Sequence, residues 1–296
     1  MECPKCKFDH PDQTTECLKC GIVFAKYLSV QDAPEAPVPP QETIEDEADS
    51  TPEEARDEFR YRLFAIPASL LGTRIFLGSV PWMVRLLTMW VHETGHAVTA
   101  WFCGFWAMPG PWFTPVSDER TLGITLFVVA ALGFGGFLCW KTERWFLLGV
   151  VGALFVFKIV CTLLPIHRAQ ALIIFGGDGG CMVLGTILMA TFYMRREGAI
   201  YQNGLRWGFI VIGAAALLDP FKTWTGPEDD LPFGVQEGTL SDPSQIVQNY
   251  GWTIQFMIQQ YVRLGLACFA VLAVFYVFGI VQARRAMQDG HHLASF

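Results

Sequence analysis

Apolar runs of bilayer length recur along most of the chain: Ser79–Cys103, Leu122–Trp140, Trp145–Pro165, Ala169–Met194, Leu205–Leu218 and Val262–Val281. A helix needs about 20 mainly apolar residues to cross a hydrocarbon core of about 30 Å. Inside lipid, only a helix or a closed barrel satisfies the backbone polar groups. The runs predict an all-α polytopic membrane protein with six transmembrane helices, of which Leu205–Leu218 is the shortest. Composition agrees, because hydrophobic residues are 52% of the chain and charged residues only 17%. Phe64–Gly78 is also apolar but short, and it carries Arg74, so it reads as an interfacial or re-entrant helix.

Orientation follows from the basic residues that flank the runs. Lys141 and Arg144, Arg195 and Arg196, and Arg284 and Arg285 all fall on one side if the N-terminus is cytoplasmic. The reading is a multi-pass protein of a bacterial inner membrane with both termini in the cytoplasm. The chain opens on a polar segment, where a secretory signal would need an apolar core of about 7–15 residues, so the N-terminus is expected to be kept.

Three zones succeed one another: a Cys-rich head over 1–28, an acidic, Pro-rich linker over 29–57, and the membrane-embedded body over 58–296. The formal charge of −7 largely reflects the acidic residues between Asp32 and Glu58. Such a stretch buries too little apolar surface to offset the entropy of ordering it, so it is expected to be disordered. Lys and Arg form no basic patch, which argues against a nucleic-acid partner; the partners expected are the lipid bilayer and other proteins.

In the head, Cys3-Pro-Lys-Cys6 and Cys17-Leu-Lys-Cys20 are two Cys-x-x-Cys knuckles. The spacing suits a small zinc ribbon with one structural zinc on four thiolates. The same four thiolates suit a rubredoxin-like iron, and two disulfides are disfavoured in the cytoplasm. Gly21-Ile22-Val23-Phe24 reads as a ribbon strand over the second knuckle. The other five cysteines, Cys103, Cys139, Cys161, Cys181 and Cys268, lie singly in apolar runs as small buried residues.

The chemistry lies in the first apolar run, which contains His92-Glu93-Thr94-Gly95-His96. On a helix, residues four apart share a face, so both imidazoles can reach one ion with Glu93 beside them. An ionisable side chain at mid-bilayer costs about 2.5–3.5 kcal/mol on insertion scales and usually marks function, so three of them in one turn need a common cause. A catalytic zinc site normally has three protein ligands and one position open to water. Asp178, in Phe175-Gly-Gly-Asp-Gly-Gly180, is the best third ligand, since the glycines let its helix break or pack closely. The competing account of this run is a glycine-rich packing face. Asp219 and His167 sit at other depths. Lys158, inside the third run, calls for a carboxylate or carbonyl partner.

His-Glu-x-x-His in one run with Asp-Gly in a later one resembles the site-2 protease family of intramembrane zinc metalloproteases. The resemblance covers roughly Ser79 to Met194. It implies that His92, His96 and Asp178 hold a catalytic zinc, that Glu93 is the general base, and that the substrate is a transmembrane protein whose helix unwinds before cleavage. It also implies that Met108–Val116 is an extended segment near the site. Two runs separate the motifs here where the family core has one, and the family's Asn-x-x-Pro is absent. The zinc ribbon is then a module for docking a protein partner or for regulation. An alternative from another class is a catalytically silent relative that keeps zinc and binds membrane partners. A metal transporter would call for a second intramembrane ligand cluster.

Overall fold

The computed structural model describes residues 2–3, 5–9, 11, 14–24, 52–193, 203–236 and 238–293. The chain divides into two compact units, Met1–Asp49 and Ser50–Phe296. Of the acidic linker expected over 29–57, residues 29–51 lie outside the described residues, and 52–57 are not disordered but open the helix Pro52–Ser79.

The first unit is built on its two knuckles. Cys3 N–H donates to Phe8 O at 2.9 Å and Lys7 N–H to Cys3 O at 3.0 Å, and Cys17 with Ile22 and Gly21 repeats the pattern at 2.9 and 2.8 Å. Each second cysteine is followed by a residue of positive φ, Lys7 at 58° and Gly21 at 71°. Ile22 and Phe24 pack with Cys3 and Cys17, but Gly21–Phe24 does not form the expected strand: among the described residues of the head, strand-like pairing is limited to the isolated bridges Glu2↔Asp9 and Glu16↔Val23.

The second unit is mostly helical. Its helices are α1 (Pro52–Ser79), α2 (Pro81–Cys103), α3 (Leu122–Lys141), α4 (Trp145–Leu163), α5 (Ile166–Ala190), α6 (Leu205–Thr225), α7 (Asp242–Tyr250) and α8 (Ile254–Leu293). Two short antiparallel ribbons complete it, β1 (Phe105–Ala107) with β2 (Val116–Arg120), and β3 (Val235–Gln236) with β4 (Thr239–Leu240).

Among the described residues, four helical segments are long and apolar enough to cross a membrane: Leu122–Lys141, Trp145–Leu163, Ile166–Tyr193 and Ile254–Gln288. The count is five if the bent pair α1–α2 forms one span, against the six expected. Two features account for the difference. The first expected run meets α1 at a 120° bend. There Val80, the residue before Pro81, has φ −139° and ψ 62°, because a residue preceding proline is pushed out of the helical region. The fifth, α6, ends in Asp219, Pro220 and Lys222 and does not read as a crossing by itself. Phe64–Gly78, expected as a separate interfacial piece, is the second half of the continuous helix α1.

The centre of this unit is α5, clamped between α2 and α6 through glycines. A Cβ on Gly95 would strike Gly176 O and lie 2.9 Å from Gly177 O, and one on Gly180 would lie 2.6 Å from Gly95 Cα. A Cβ on Gly185 would lie 2.7 Å from Gly213 O of α6. Small residues let backbones touch in this way, which is how helices associate without a water-driven hydrophobic effect. The largest core cluster lies among α1, α5, α6, α7 and α8 and includes Met182, Leu217, Trp224, Met257 and Tyr261. Buried Glu58 accepts from Arg62 at 2.7 Å and from Arg206 at 3.0 Å, which ties α1 to α6.

The helices α3 and α4 pack mainly on each other as a hairpin between the two motif helices, with almost all their apolar side chains exposed. Val128 and Cys161 are buried exceptions, and so is the charged Lys158 at 1% exposure. Its ammonium donates to Trp101 O and Phe102 O at 3.2 and 3.0 Å, and Arg120 donates to Cys103 O at 3.0 Å. The last carbonyls of a helix have no partner within it and attract cations. Lys158 therefore has the carbonyl partners expected of it, and it pins the end of α2.

Candidate metal centre

On α2, His92 and His96 lie one turn apart, with their Nε2 atoms 3.1 Å from each other. His96 Nδ1 lies 2.8 Å from the backbone oxygen of Ile173 on α5. A carbonyl can only accept, so Nδ1 donates to it and Nε2 is the ring nitrogen left to face a ligand or an ion. His92 Nδ1 lies 3.0 Å from Asp178 Oδ1 in the same relation to a carboxylate. Both Nε2 atoms thus face one place, where Asp242 Oδ2 also stands, 3.2 Å from His92 Nε2 and 3.0 Å from His96 Nε2.

Three candidate ligand atoms face one another, and a cation placed among them would be within reach of all three. The His92, His96 and Asp242 atoms lie within 4.8 Å of one another, close enough to hold one ion. Zinc bonds of about 2.0–2.1 Å place tetrahedral ligand atoms about 3.3 Å apart, so the triangle needs to open only slightly to fit.

The third acceptor departs from the sequence expectation. Asp178 lies against the ring nitrogen of His92 that faces away from this point, and its second oxygen accepts from Trp224 Nε1 at 2.7 Å. The glycines do bring α5 close, but it is the backbone that approaches the rings. A Cβ on Gly177 would lie 2.5 Å from His96 Nε2 and 2.6 Å from His92 Cε1. Asp242 comes instead from the first residue of α7, between the fifth and sixth apolar runs, and Pro243 follows it in the first helical turn. Nothing in its sequence spacing links it to residues about 150 positions away; Asp-Pro opening a short helix was its only local signal.

Glu93 is 5% exposed, and its Oε2 accepts from the Thr114 hydroxyl at 2.7 Å. Thr114 lies in the loop between β1 and β2, so the Met108–Val116 segment does sit beside the motif. Of the set-aside residues, Asp219 accepts from Thr88 at 3.1 Å, and His167 rests on Tyr250 with ring centres 5.0 Å apart. Neither joins the His92 group.

The motif opens into a cleft of about 1560 Å³. One wall is the β1–β2 side, with Trp112, Phe113 and Val116; the opposite wall comes from the end of α6 and from α7, with Lys222, Asp242 and Tyr250. Both apolar and charged groups line it.

In the head, Cys3, Cys6, Cys17 and Cys20 form the second group able to hold an ion. Cys3 Sγ lies 3.8 Å from Cys20 Sγ, and Cys6 Sγ 3.5 Å from Cys17 Sγ. Zinc–sulfur bonds of about 2.3 Å set tetrahedral sulfurs about 3.8 Å apart. Burial opposes ionisation of Cys6, Cys17 and Cys20. It pushes the Cys6 thiol up to about 12, whereas hydrogen bonds from the Cys20 side bring Cys17 down to about 5.

No family model matches the chain, and no curated protein or solved structure is similar to it.

Proposed function

We propose that the chain is an intramembrane zinc metalloprotease of the site-2 protease kind, cleaving transmembrane protein substrates. The observation that carries this reading is the convergence of His92 Nε2, His96 Nε2 and Asp242 Oδ2 on one point, beside a Glu93 that lies outside the ligand triangle. A site serving structure alone has no use for that glutamate. His92, His96 and Asp242 hold a catalytic zinc, and the four cysteines hold a structural one.

A zinc ion held by these residues would supply an acidified water and polarisation of the scissile carbonyl. Glu93 takes the attacking water's proton and delivers it to the leaving amine. Thr114 holds the Glu93 carboxylate, and the β1–β2 wall offers extended backbone to a substrate whose helix has unwound. Unwinding is required because a helix keeps its carbonyls in internal hydrogen bonds. The protein sits in a bacterial inner membrane with its termini in the cytoplasm, where the ribbon docks a partner or regulates access.

The test is Glu93→Gln in cells. The amide cannot accept a proton, so membrane proteins that are normally cleaved should accumulate at full length while the purified variant retains its zinc. Identical membrane proteomes in wild-type and variant cells would remove the protease reading and leave the silent, partner-binding relative.

A further inference from the structure

We infer that Trp224 and Asp178 act as a positioning pair, aiming His92 at the ion and keeping Asp178 out of the ion's ligand set. The inference rests on the reading that an ion is held by His92, His96 and Asp242. Each Asp178 oxygen has its own donor, Oδ1 facing His92 Nδ1 at 3.0 Å and Oδ2 accepting from Trp224 Nε1 at 2.7 Å. With both oxygens engaged, the carboxylate cannot turn toward the ion without losing a bond.

Trp224 cannot easily move either. It is 1% exposed and stacks on Tyr261 at 4.1 Å between ring centres, with 19° between planes. Tyr261 in turn stacks on Phe175 at 4.2 Å and donates its hydroxyl to Phe175 O at 3.3 Å. This aromatic column therefore runs from α8 back to α5 and fixes an indole N–H, a group that can only donate. Metal-binding imidazoles commonly give their second nitrogen to a carboxylate, which sets tautomer and ring direction. What is particular here is that the carboxylate is itself held by a donor from a third helix, so the third ligand is left to Asp242.

The alternative is that Asp178 merely satisfies a buried indole, as buried tryptophans usually require. Variants of the full chain separate the two accounts. Trp224→Phe keeps the ring and its stacking but loses the N–H, so thermal unfolding should stay near wild type. Zinc retention by the body, titrated against a chromophoric chelator, should nevertheless fall about 10-fold. The cobalt-substituted body should also show a shifted visible band, and the head is told apart by its thiolate-to-metal absorption. Asp178→Asn should weaken retention further, and adding Trp224→Phe to it should cost nothing more, because the amide no longer needs to face the indole.

Unchanged retention and an unchanged cobalt band in Trp224→Phe would overturn the inference, as would independent, multiplying losses. A wild-type body that binds no ion would instead defeat the underlying metal reading, and the pair's role with it.

Discussion

At the scale of single residues, the site divides between what a local pattern announces and what only folding assembles. His92, Glu93 and His96 are legible because helical periodicity alone puts them together. The four cysteines are legible because each knuckle is a local turn, seen in the paired bonds around Cys3 and Cys17. Asp178 is legible as a residue that belongs near the motif, but its contact is with His92 Nδ1. Whether it lies on the Nδ1 or the Nε2 side of that ring is decided by where Trp224 and the Gly177 backbone stand, and no spacing rule contains that. The assignment gives a direct expectation. Asp242→Ala removes an acceptor from the triangle and should release the body's zinc, while Asp178→Ala should weaken it by about 10–100-fold without abolishing it. Metal analysis after gel filtration against a weak chelator checks both, and the reverse order would make Asp178 the ligand.

At the scale of elements, the glycines of α2 and α5 are informative because they differ in what a side chain would meet. Gly177→Ala would drive a methyl to 2.5 Å from His96 Nε2. The clash should cost about 1–3 kcal/mol as overpacking does and should displace the imidazole, so metal retention falls together with stability. Gly133 on α3 has nothing within 4 Å of its missing Cβ, and Gly133→Ala should leave both unchanged. Paired thermal unfolding and zinc analysis tell these outcomes apart. The contrast also explains which elements the sequence exposes. The α3–α4 hairpin is nearly pure apolar run and is foreseen almost to its ends. The bend between α1 and α2 falls beside the expected division of the apolar stretch, between Gly78 and Ser79, but that Phe64–Gly78 continues the helix begun at Pro52 is not foreseen. The buried Lys158 is foreseen as a residue in need of a carboxylate or a carbonyl. That the carbonyls would be those of Trp101 and Phe102, closing the end of the motif helix, depends on how the hairpin docks.

At the scale of the whole molecule, neither candidate metal site draws ligands from both units. Cys3, Cys6, Cys17 and Cys20 all belong to Met1–Asp49, and His92, His96 and Asp242 all belong to Ser50–Phe296. Each ion should therefore be retained or lost without reference to the other. The units also depend on metal to different degrees. Among the described residues, the head's buried cluster is Cys3, Cys17 and Phe24, and so small a core leaves folding to the metal, which in zinc-finger peptides supplies about 10–16 kcal/mol. The body is held by glycine-mediated helix contacts and a large aromatic and aliphatic core, so its fold should outlast its ion. Wild type should carry two zinc ions per chain. Cys3→Ser with Cys6→Ser should carry one and lose the protease resistance of the head alone. Asp242→Ala should also carry one, now with the thiolate-to-metal absorption intact after cobalt substitution and with an unchanged helical circular dichroism signal. Loss of both ions from either variant would show that the two sites are built cooperatively, contrary to the division of their ligands between the units.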